Sequence, residues 1–298
     1  MTEDKRDARA LLAEAIKSKG SLVCCGLDPD LSRLPLEIKT KTCPPAEKAL
    51  CFLREVVEAT APYVCAYKVQ KAFFEPLPGG HEALAAVVTY IHRCYPEIPV
   101  FLDCKIGDIG HTMKAYLHTA FEILHVDGLV TNPYMGDDVL QPFATLPTKI
   151  GIVLVRTSNP GADVVQEIRT ADGRPFWKHV LDLVVNRWNR AGNLMPVLRA
   201  APDYGPDPMR KSIPDDMTVF VAGYGAQGGT ASGVTQFLNS SGAGAIVNSS
   251  RALLYPAGID GPAWRSAIVA GAAGMRIELN QHTMSSSIGP KPQDLPLC

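Results

Sequence analysis

The segment Ile98-Pro-Val-Phe-Leu-Asp-Cys-Lys-Ile-Gly-Asp108 places charged residues directly after a short apolar run. Side chains of a strand alternate between its two faces, so Asp103 and Lys105 are expected on one face and Cys104 on the other. Asp108 follows a glycine at which the chain is expected to turn into a helix. The segment therefore predicts two carboxylates and an ammonium group at the carboxyl end of one strand.

Seven other short apolar runs alternate with amphipathic helical stretches along the chain. Alternating strands and helices predict a parallel sheet covered by helices. Eight such units in roughly 250 residues favour a (β/α)8 TIM barrel over a doubly wound open sheet, and the chemistry of such barrels lies at the carboxyl ends of the strands. The predicted strands are Ser21–Leu27, Tyr63–Val69, Ile98–Asp103, Gly128–Thr131, Lys149–Val155, Leu194–Leu198, Thr218–Ala222 and Ala243–Asn248.

Helices are predicted before, between and after these strands. An extra N-terminal helix, Asp7–Lys19, precedes the first strand, and a final helix covers Pro262–Gly274 or a longer stretch. Residues 1–275 are expected to form one barrel domain, and residues 276–298 the end of the last helix with a linker or tail rich in Ser and Pro. The connecting helices are predicted at Ala46–Thr60, Glu82–Cys94, Gly110–Leu124, Asp137–Thr145, Phe176–Arg190 and Gly233–Ser240.

The composition argues against several classes of protein. The 298 residues carry a formal net charge of −1, which gives no indication of a nucleic acid or membrane partner. No apolar run reaches the length of about 18 residues that suggests a transmembrane helix, and the first residues lack the apolar core of a signal peptide. None of the eight cysteines forms a C-x-x-C pair, so reduced thiols rather than a zinc site are expected. A cytoplasmic location is predicted, or a peroxisome-like organelle if a longer chain carries a C-terminal address.

Charged residues also stand at the ends of the first two predicted strands. Asp28 precedes a proline, where it could accept hydrogen bonds from substrate hydroxyls or simply cap a turn. Lys68 lies in an otherwise apolar strand, where a lysine is either paired and functional or extends to the surface. Because half-buried charges must be paired, an alternating array is predicted from Lys68, Asp103, Lys105 and Asp108.

The segment Gly223-Tyr-Gly-Ala-Gln-Gly228 contains G-x-G-x-x-G, a pattern found in dinucleotide-binding folds. Those folds need an acidic residue about 20 positions later, and no Asp or Glu occurs from Thr218 through Ile259. NAD binding is therefore rejected, and the glycines are predicted to let the backbone approach a phosphate. Gln227 and Arg251 follow the last two predicted strands, where such barrels often bind phosphate, although Arg251 could also be a surface residue.

Two loops rich in turn-forming residues follow the fourth and fifth predicted strands. They read Thr131-Asn-Pro-Tyr-Met-Gly136 and Arg156-Thr-Ser-Asn-Pro-Gly161. Ordinary turn chemistry accounts for either loop taken alone. Ser158 nevertheless offers a hydroxyl that could bind the edge of a heterocycle.

Taken together, these motifs resemble the orotidine 5′-phosphate decarboxylase family. Asp-x-Lys-x-x-Asp-Ile, at residues 103–109, is similar to the signature of that family. The segment Gly26-Leu-Asp-Pro-Asp30, the two turn loops and the glycine-rich segment are similar to its bacterial-type branch. Five motifs occur in the same order between Ser21 and Leu254. The resemblance implies decarboxylation of orotidine 5′-monophosphate to UMP, without a metal or other cofactor.

The resemblance also implies roles for matching residues. Asp28 and Lys68 would contact the ribose hydroxyls of the nucleotide substrate. Asp103 would lie beside the substrate carboxylate, and Lys105 would protonate C6 of the pyrimidine. The catalytic group implied in this way is Lys68, Asp103, Lys105 and Asp108.

Other matching residues would hold the remaining parts of the substrate. Ser158 would bind the pyrimidine edge, and Gln227 and Arg251 would bind the 5′-phosphate. Three residues would reach into the site of a neighbouring subunit, which predicts a homodimer with shared active sites: Asp108, Ile109 and Thr112.

Two alternatives and one extension remain open at this point. A metal-dependent sugar-phosphate decarboxylase or aldolase of the same suprafamily shares Asp-x-Lys-x-x-Asp, and a catalytically silent barrel could serve as a fused scaffold. An orotate phosphoribosyltransferase module could be fused to this one, as in related chains. The sequence departs from the family at Arg199-Ala200 and at Ala222-Gly223, where Gly-Ala-Thr-like and Pro-Gly turns are usual.

Overall fold

Eight parallel strands form a closed barrel in the computed structural model, which describes residues 6–201, 204, 209–225 and 227–283. Each strand pairs with its sequence neighbours, and the last pairs with the first. The predicted TIM barrel and all eight predicted strands are therefore confirmed. The strands are β1 (Val23–Leu27), β2 (Ala66–Gln70), β3 (Val100–Ile106), β4 (Gly128–Thr131), β5 (Ile150–Leu154), β6 (Leu194–Arg199), β7 (Val219–Ala222) and β8 (Ala245–Ser249).

The strands form because their side chains are buried on both sides, as the sequence of short apolar runs indicates. β3 is the exception at its end. It extends to Ile106, three residues beyond the prediction, and its pairing with β4 shifts register between Asp103 and Ile106. Lys105 lies inside this irregularity with a left-handed φ of 48°. The charged end of β3 is therefore a bulge rather than a regular strand.

The helices lie in the predicted places, but several are shorter than predicted. The stretches 110–124 and 176–190 change to wider π-type turns at Thr119 and Val184, and 137–145 changes to a tight 3₁₀ turn at Gln141. The helices are α1 (Ala8–Lys19), α2 (Leu36–Lys39), α3 (Pro45–Thr60), α4 (Gly80–Cys94), α5 (Gly110–His118), α6 (Asp137–Leu140), α7 (Asp163–Gln166), α8 (Phe176–Leu183), α9 (Ala231–Val234), α10 (Arg251–Leu254) and α11 (Trp264–Thr283).

The two chain ends described by the structure are helical. The Asp7 carboxylate caps α1 by accepting from the backbone N–H groups of Arg9 and Ala10, and Gly20 ends the helix with a φ of 52°. α11 extends past the predicted Gly274, and the predicted tail beyond residue 283 lies outside the described residues. Within the described ranges, no helix combines the length and apolar character needed to cross a membrane.

A buried carboxylate joins three segments at the amino ends of the strands. Asp127 precedes β4, and its Oδ1 lies 2.7 Å from Arg6 Nε. Its Oδ2 accepts from the backbone N–H of Val100 at 2.8 Å and lies 3.2 Å from His92 Nε2. Burial alone would raise the pKa of Asp127, but the hydrogen bonds and charges of His92 and Arg6 outweigh burial and lower it. This cluster is at the opposite end of the barrel from the charged end of β3.

Candidate active site

Four charged side chains meet at the carboxyl ends of β1, β2 and β3. Lys68 Nζ lies 3.0 Å from Asp28 Oδ1 and 3.2 Å from Asp103 Oδ2. Lys105 Nζ lies 2.6 Å from Asp103 Oδ1. Asp28, Lys68, Asp103 and Lys105 therefore form an alternating array, whereas Asp108 makes no ion pair with them within the described part of this chain.

The two innermost members hold each other in their charged forms. Burial alone would lower the pKa of Lys68, but the carboxylates of Asp28 and Asp103 outweigh burial and raise it. Burial alone would raise the pKa of Asp103, but the charges of Lys68 and Lys105 outweigh burial and lower it. Both groups are therefore ionised near neutral pH, in spite of being almost fully buried.

The bulge in β3 gives Lys105 its position. Lys105 and Asp103 share a side as predicted, but through the left-handed backbone of Lys105 and not through regular strand alternation. The side chain of Lys105 is 48% exposed, against 10% for Asp103. One ammonium group thus faces the open cavity while it remains paired to a buried carboxylate.

Gln70 completes the hydrogen bonding of Asp103 and was missed by the sequence analysis. Its Nε2 donates to Asp103 Oδ2 at 2.9 Å, beside the contact of Lys68 with the same oxygen. The signal was present, because Gln70 is two residues after Lys68 in one strand and therefore lies on the same face. An uncharged amide after an apolar run is less conspicuous than a charge.

These side chains form one end of a cavity of about 440 Å³ above the barrel. Apolar side chains from the middle strands contribute to its lining, among them Val130, Leu154, Val197 and Phe220. Seven of the ten predicted site residues line it: Asp28, Lys68, Asp103, Lys105, Ser158, Gln227 and Arg251.

The other end of the cavity is formed by the loops after β5, β7 and β8. Ser158 Oγ donates to Gln227 Oε1 at 2.5 Å, so these two loops touch across the cavity. Gly223 has a φ of 82°, and a Cβ there would lie 2.5 Å from the Ser158 Cβ. Only glycine therefore permits this approach. Arg251 begins α10, its side chain is exposed, and it lines the cavity.

A tyrosine that the sequence analysis did not consider holds the loop carrying Asp28. Tyr255 Oη accepts from the backbone N–H of Asp30 at 2.5 Å and lies 3.3 Å from the backbone oxygen of Asp28. Phe52 stacks on the ring of Tyr255, and the Arg33 guanidinium lies 4.4 Å from its centre. No local motif marks Tyr255, because it acts on a loop more than 220 residues earlier.

Asp108, Ile109 and Thr112 do not line this cavity. The Asp108 carboxylate accepts from the backbone N–H of Ile109 at 2.7 Å and makes no ion pair with the described residues. Ile109 is 44% exposed. The turn at the start of α5 carries these residues away from the charge cluster of their own chain.

No group of three or more His, Cys, Asp or Glu residues within the described ranges has the arrangement of a metal site. The glycine-rich segment after β7 lines the cavity through Gly223 and Gln227, beside Arg251. The cavity therefore offers a cationic and hydrogen-bonding end to an anionic group, and an ion-pair network to the group at its other end.

Comparisons with known proteins agree with this site. The chain matches the family described as orotidine 5′-phosphate decarboxylase / HUMPS over residues 21–257. It is 40% identical over 273 residues to the orotidine 5′-phosphate decarboxylase of Bordetella pertussis, with 90% of this chain and 96% of that protein covered. The solved Leishmania donovani OMP decarboxylase is similar with a TM-score of 0.76 and 31% identity, over 93% of this chain and 98% of that one.

A second Leishmania donovani structure, of UMP synthase, has a TM-score of 0.76 and 32% identity over 92% of this chain. The match spans 56% of that longer chain. Sequence, fold and site thus lead to one assignment: this chain belongs to the orotidine 5′-phosphate decarboxylase / HUMPS family.

Proposed function

We propose that this chain decarboxylates orotidine 5′-monophosphate to UMP, the last step of de novo pyrimidine nucleotide synthesis. Its relatives that are named for this activity support the proposal. The observation that carries it is the network of Asp28, Lys68, Asp103 and Lys105 at one end of a cavity whose other end holds Arg251.

The cavity suggests how the substrate is held. The 5′-phosphate binds near Gln227 and Arg251, where a guanidinium and glycine-rich backbone can surround it. The ribose hydroxyls donate to Asp28 and accept from Lys68. Ser158 contacts the pyrimidine edge, which places the carboxyl-bearing carbon near Asp103 and Lys105.

Decarboxylation breaks the bond between C6 and the carboxylate carbon and leaves the electron pair on C6. Lys105 is the more exposed of the two lysines that pair with Asp103, so its ammonium stabilises the developing charge and then donates a proton to C6. Lys68 and Gln70 keep Asp103 in place beside the departing carboxylate. The negative charge of Asp103 then opposes the charge of the substrate carboxylate and favours its loss as CO₂.

Loss of orotidine 5′-monophosphate absorbance, with and without EDTA, tests this function. We expect the same rate in both arms. A sugar-phosphate decarboxylase or aldolase that needs a divalent metal would lose its activity in EDTA and would leave orotidine 5′-monophosphate unchanged. A non-catalytic barrel would be inactive in every arm.

We also propose a homodimer in which Asp108, Ile109 and Thr112 complete the partner's site. These residues lie outside the cavity of their own chain. Exposed apolar side chains follow β2, β3 and β4, on one side of the barrel, and would be covered in such a dimer: Phe73, Ile109, Tyr134 and Met135.

Mixing two inactive variants tests the shared site. In a heterodimer of Lys105→Ala and Asp108→Ala subunits, one site has both native residues and the other has neither. Random exchange should therefore restore about a quarter of the wild-type activity. If activity does not recover after subunit exchange has been verified, the shared site is contradicted. Sedimentation velocity measures the oligomeric state directly.

A cytoplasmic location and a fused phosphoribosyltransferase module remain predictions. The second is supported by the Leishmania donovani UMP synthase, of which this chain spans only part. Mass spectrometry of the native polypeptide, with an assay for orotate-dependent UMP formation, tests for the second module.

A further inference from the structure

The guanidinium of Arg156 is a buried charge that the mechanism above does not use. Arg156 follows β5 directly, and its side chain is 2% exposed. Its Nη2 lies 2.8 Å from Asp163 Oδ1 and 2.9 Å from Glu167 Oε1. Both carboxylates are more than a third exposed, so the cation lies inside and its two partners lie above it.

This arrangement fixes the segment that follows β5. A buried charge is costly unless it is fully paired, so Arg156 favours conformations in which Asp163 and Glu167 both reach it. Asp163 begins α7, and Glu167 follows the end of that helix. The guanidinium therefore holds α7 against the barrel at two points.

A chain of hydrogen bonds connects Arg156 to the residues on both sides of Ser158. Gln166 Oε1 accepts from Arg156 Nη1 at 3.3 Å and from the backbone N–H of Thr157 at 2.9 Å. Gln166 Nε2 donates to Thr157 Oγ1 at 2.8 Å, and that hydroxyl donates to Asn159 Oδ1 at 2.7 Å. Thr157 and Asn159 line the cavity together with Ser158.

We propose that Arg156 is a positioning residue, which acts through Gln166 and Thr157 to hold Ser158 where it contacts the pyrimidine. The inference rests on the proposed function, in which Ser158 binds the base. Ser158 contacts the base, whereas Arg251 contacts the phosphate from a different loop, so loss of Arg156 should weaken recognition of the base far more than recognition of the phosphate.

Binding measurements separate recognition of the base from recognition of the phosphate. In Arg156→Met, the affinity for UMP should fall about tenfold, while the affinity for ribose 5-phosphate, which lacks the base, should stay within about twofold. The matched control is Arg174→Met. Arg174 also pairs with two carboxylates after β5, Asp172 and Asp182, but it is exposed and does not reach the cavity. It should leave both affinities unchanged.

A double-mutant cycle with Ser158→Ala tests whether Arg156 acts through that residue. Each single variant should lower kcat/KM for orotidine 5′-monophosphate, by up to about 100-fold for a misplaced contact. The double variant should have a kcat/KM little below that of the more impaired single variant. Additive losses, or equal weakening of UMP and ribose 5-phosphate, would overturn the inference.

A second variant covers the case in which Arg156→Met does not fold. Gln166→Met removes the connection to Thr157 and leaves both ion pairs of Arg156 in place. It should weaken the binding of UMP and leave the binding of ribose 5-phosphate nearly unchanged, as in Arg156→Met. An unchanged affinity for UMP would overturn the inference. If the wild-type protein does not decarboxylate orotidine 5′-monophosphate, the proposed function is refuted instead. The affinities for UMP and ribose 5-phosphate would still show whether Arg156 positions the loop that carries Ser158.

Discussion

At the scale of single residues, Asp103 decides the geometry of the site. One carboxylate oxygen contacts Lys105, and the other contacts Lys68 and Gln70. With both oxygens engaged, the carboxylate has little freedom to rotate away from an incoming negative charge. The mechanism therefore needs the partners of Asp103 as much as Asp103 itself.

Replacing Lys105 by Ala removes the proposed proton donor. We expect kcat to fall by at least about 10³-fold, in the range for loss of general acid catalysis. Lys71→Ala is the matched control, since Lys71 directly follows the neighbouring strand β2 and pairs with the exposed Glu75. Steady-state kinetics should show nearly wild-type turnover for the control. Comparable turnover in both variants would remove Lys105 from the mechanism.

The pH dependence of stability follows from the pKa shift of Lys68. Because its pKa is raised in the folded state, its contribution is fully present below its unfolded pKa of about 10.4 and is lost as the pH rises through the folded value. Lys68→Met should lower the free energy of unfolding by about 3 kcal/mol, because it leaves Asp28 and Asp103 without their shared cation.

Urea denaturation from pH 6 to 11 tests this expectation. The free energy of unfolding of wild type should exceed that of Lys68→Met by a constant amount near neutral pH. This difference should narrow only at the alkaline end of the range. A difference that narrows as the pH falls toward 6 would show that Lys68 is not held charged by its neighbours.

Residue types limited what could be predicted at this scale. Asp28, Lys68, Asp103 and Lys105 were found because a charge in an apolar run is costly and therefore conspicuous. Gln70 and Tyr255 were missed, since an amide and a phenol are unremarkable beside such runs. Their roles depend on contacts that exist only after the barrel closes.

At the scale of elements, the end of β3 differs most from expectation. Short apolar runs predicted the eight strands because burial on both faces leaves a clear sequence pattern. The bulge at Lys105 left no such pattern, since its cause is pairing with β4. The helix ends at His118 and Leu183 were also missed, because the switch to wider turns does not interrupt the apolar periodicity.

Gly107 is needed for the turn from β3 into α5. A Cβ there would lie 2.3 Å from the backbone oxygen of Asn132. Gly107→Ala should therefore displace the end of β3, lower the free energy of unfolding by about 2 kcal/mol and reduce kcat. Gly110→Ala is the control, because nothing lies within 4 Å of its added Cβ. Thermal melts and kinetics should show a defect in the first variant only; equal behaviour would refute this account of the turn.

At the scale of the whole molecule, the residues that stabilise the fold and the residues proposed for catalysis lie at opposite ends of the barrel. The Asp127 cluster lies at the amino ends of the strands, and the charge cluster lies at their carboxyl ends. The first joins the segment before α1, helix α4 and the start of β3 through one carboxylate.

Asp127→Ala should therefore affect folding and spare catalysis. It removes the one carboxylate that Arg6, His92 and the backbone N–H of Val100 share, which should cost about 3 kcal/mol of unfolding free energy. Because the pKa of Asp127 is lowered by folding, this contribution is present above about pH 4 and is lost as the pH falls through the folded value. Urea midpoints at several pH values and kcat at pH 7 check both parts; a large fall in kcat of the folded variant would contradict the separation.

The oligomeric state is the property of the whole molecule for which the sequence provides the least direct evidence. Asp108, Ile109 and Thr112 were assigned to a neighbouring site only by resemblance to a family. A single chain shows that they lie outside its own cavity, but periodicity and composition carry no information on a second copy.

The ion pairs at the end of the barrel have one further consequence. Two ammonium groups and two carboxylates sum to zero, so this part of the cavity holds no excess charge with which to attract an anion. A substrate carboxylate placed there would make the sum negative. Attraction must then come from the opposite end, where Arg251 stands. The site therefore attracts the nucleotide through the phosphate, which the reaction leaves intact. It binds the carboxylate, which the reaction removes, least favourably.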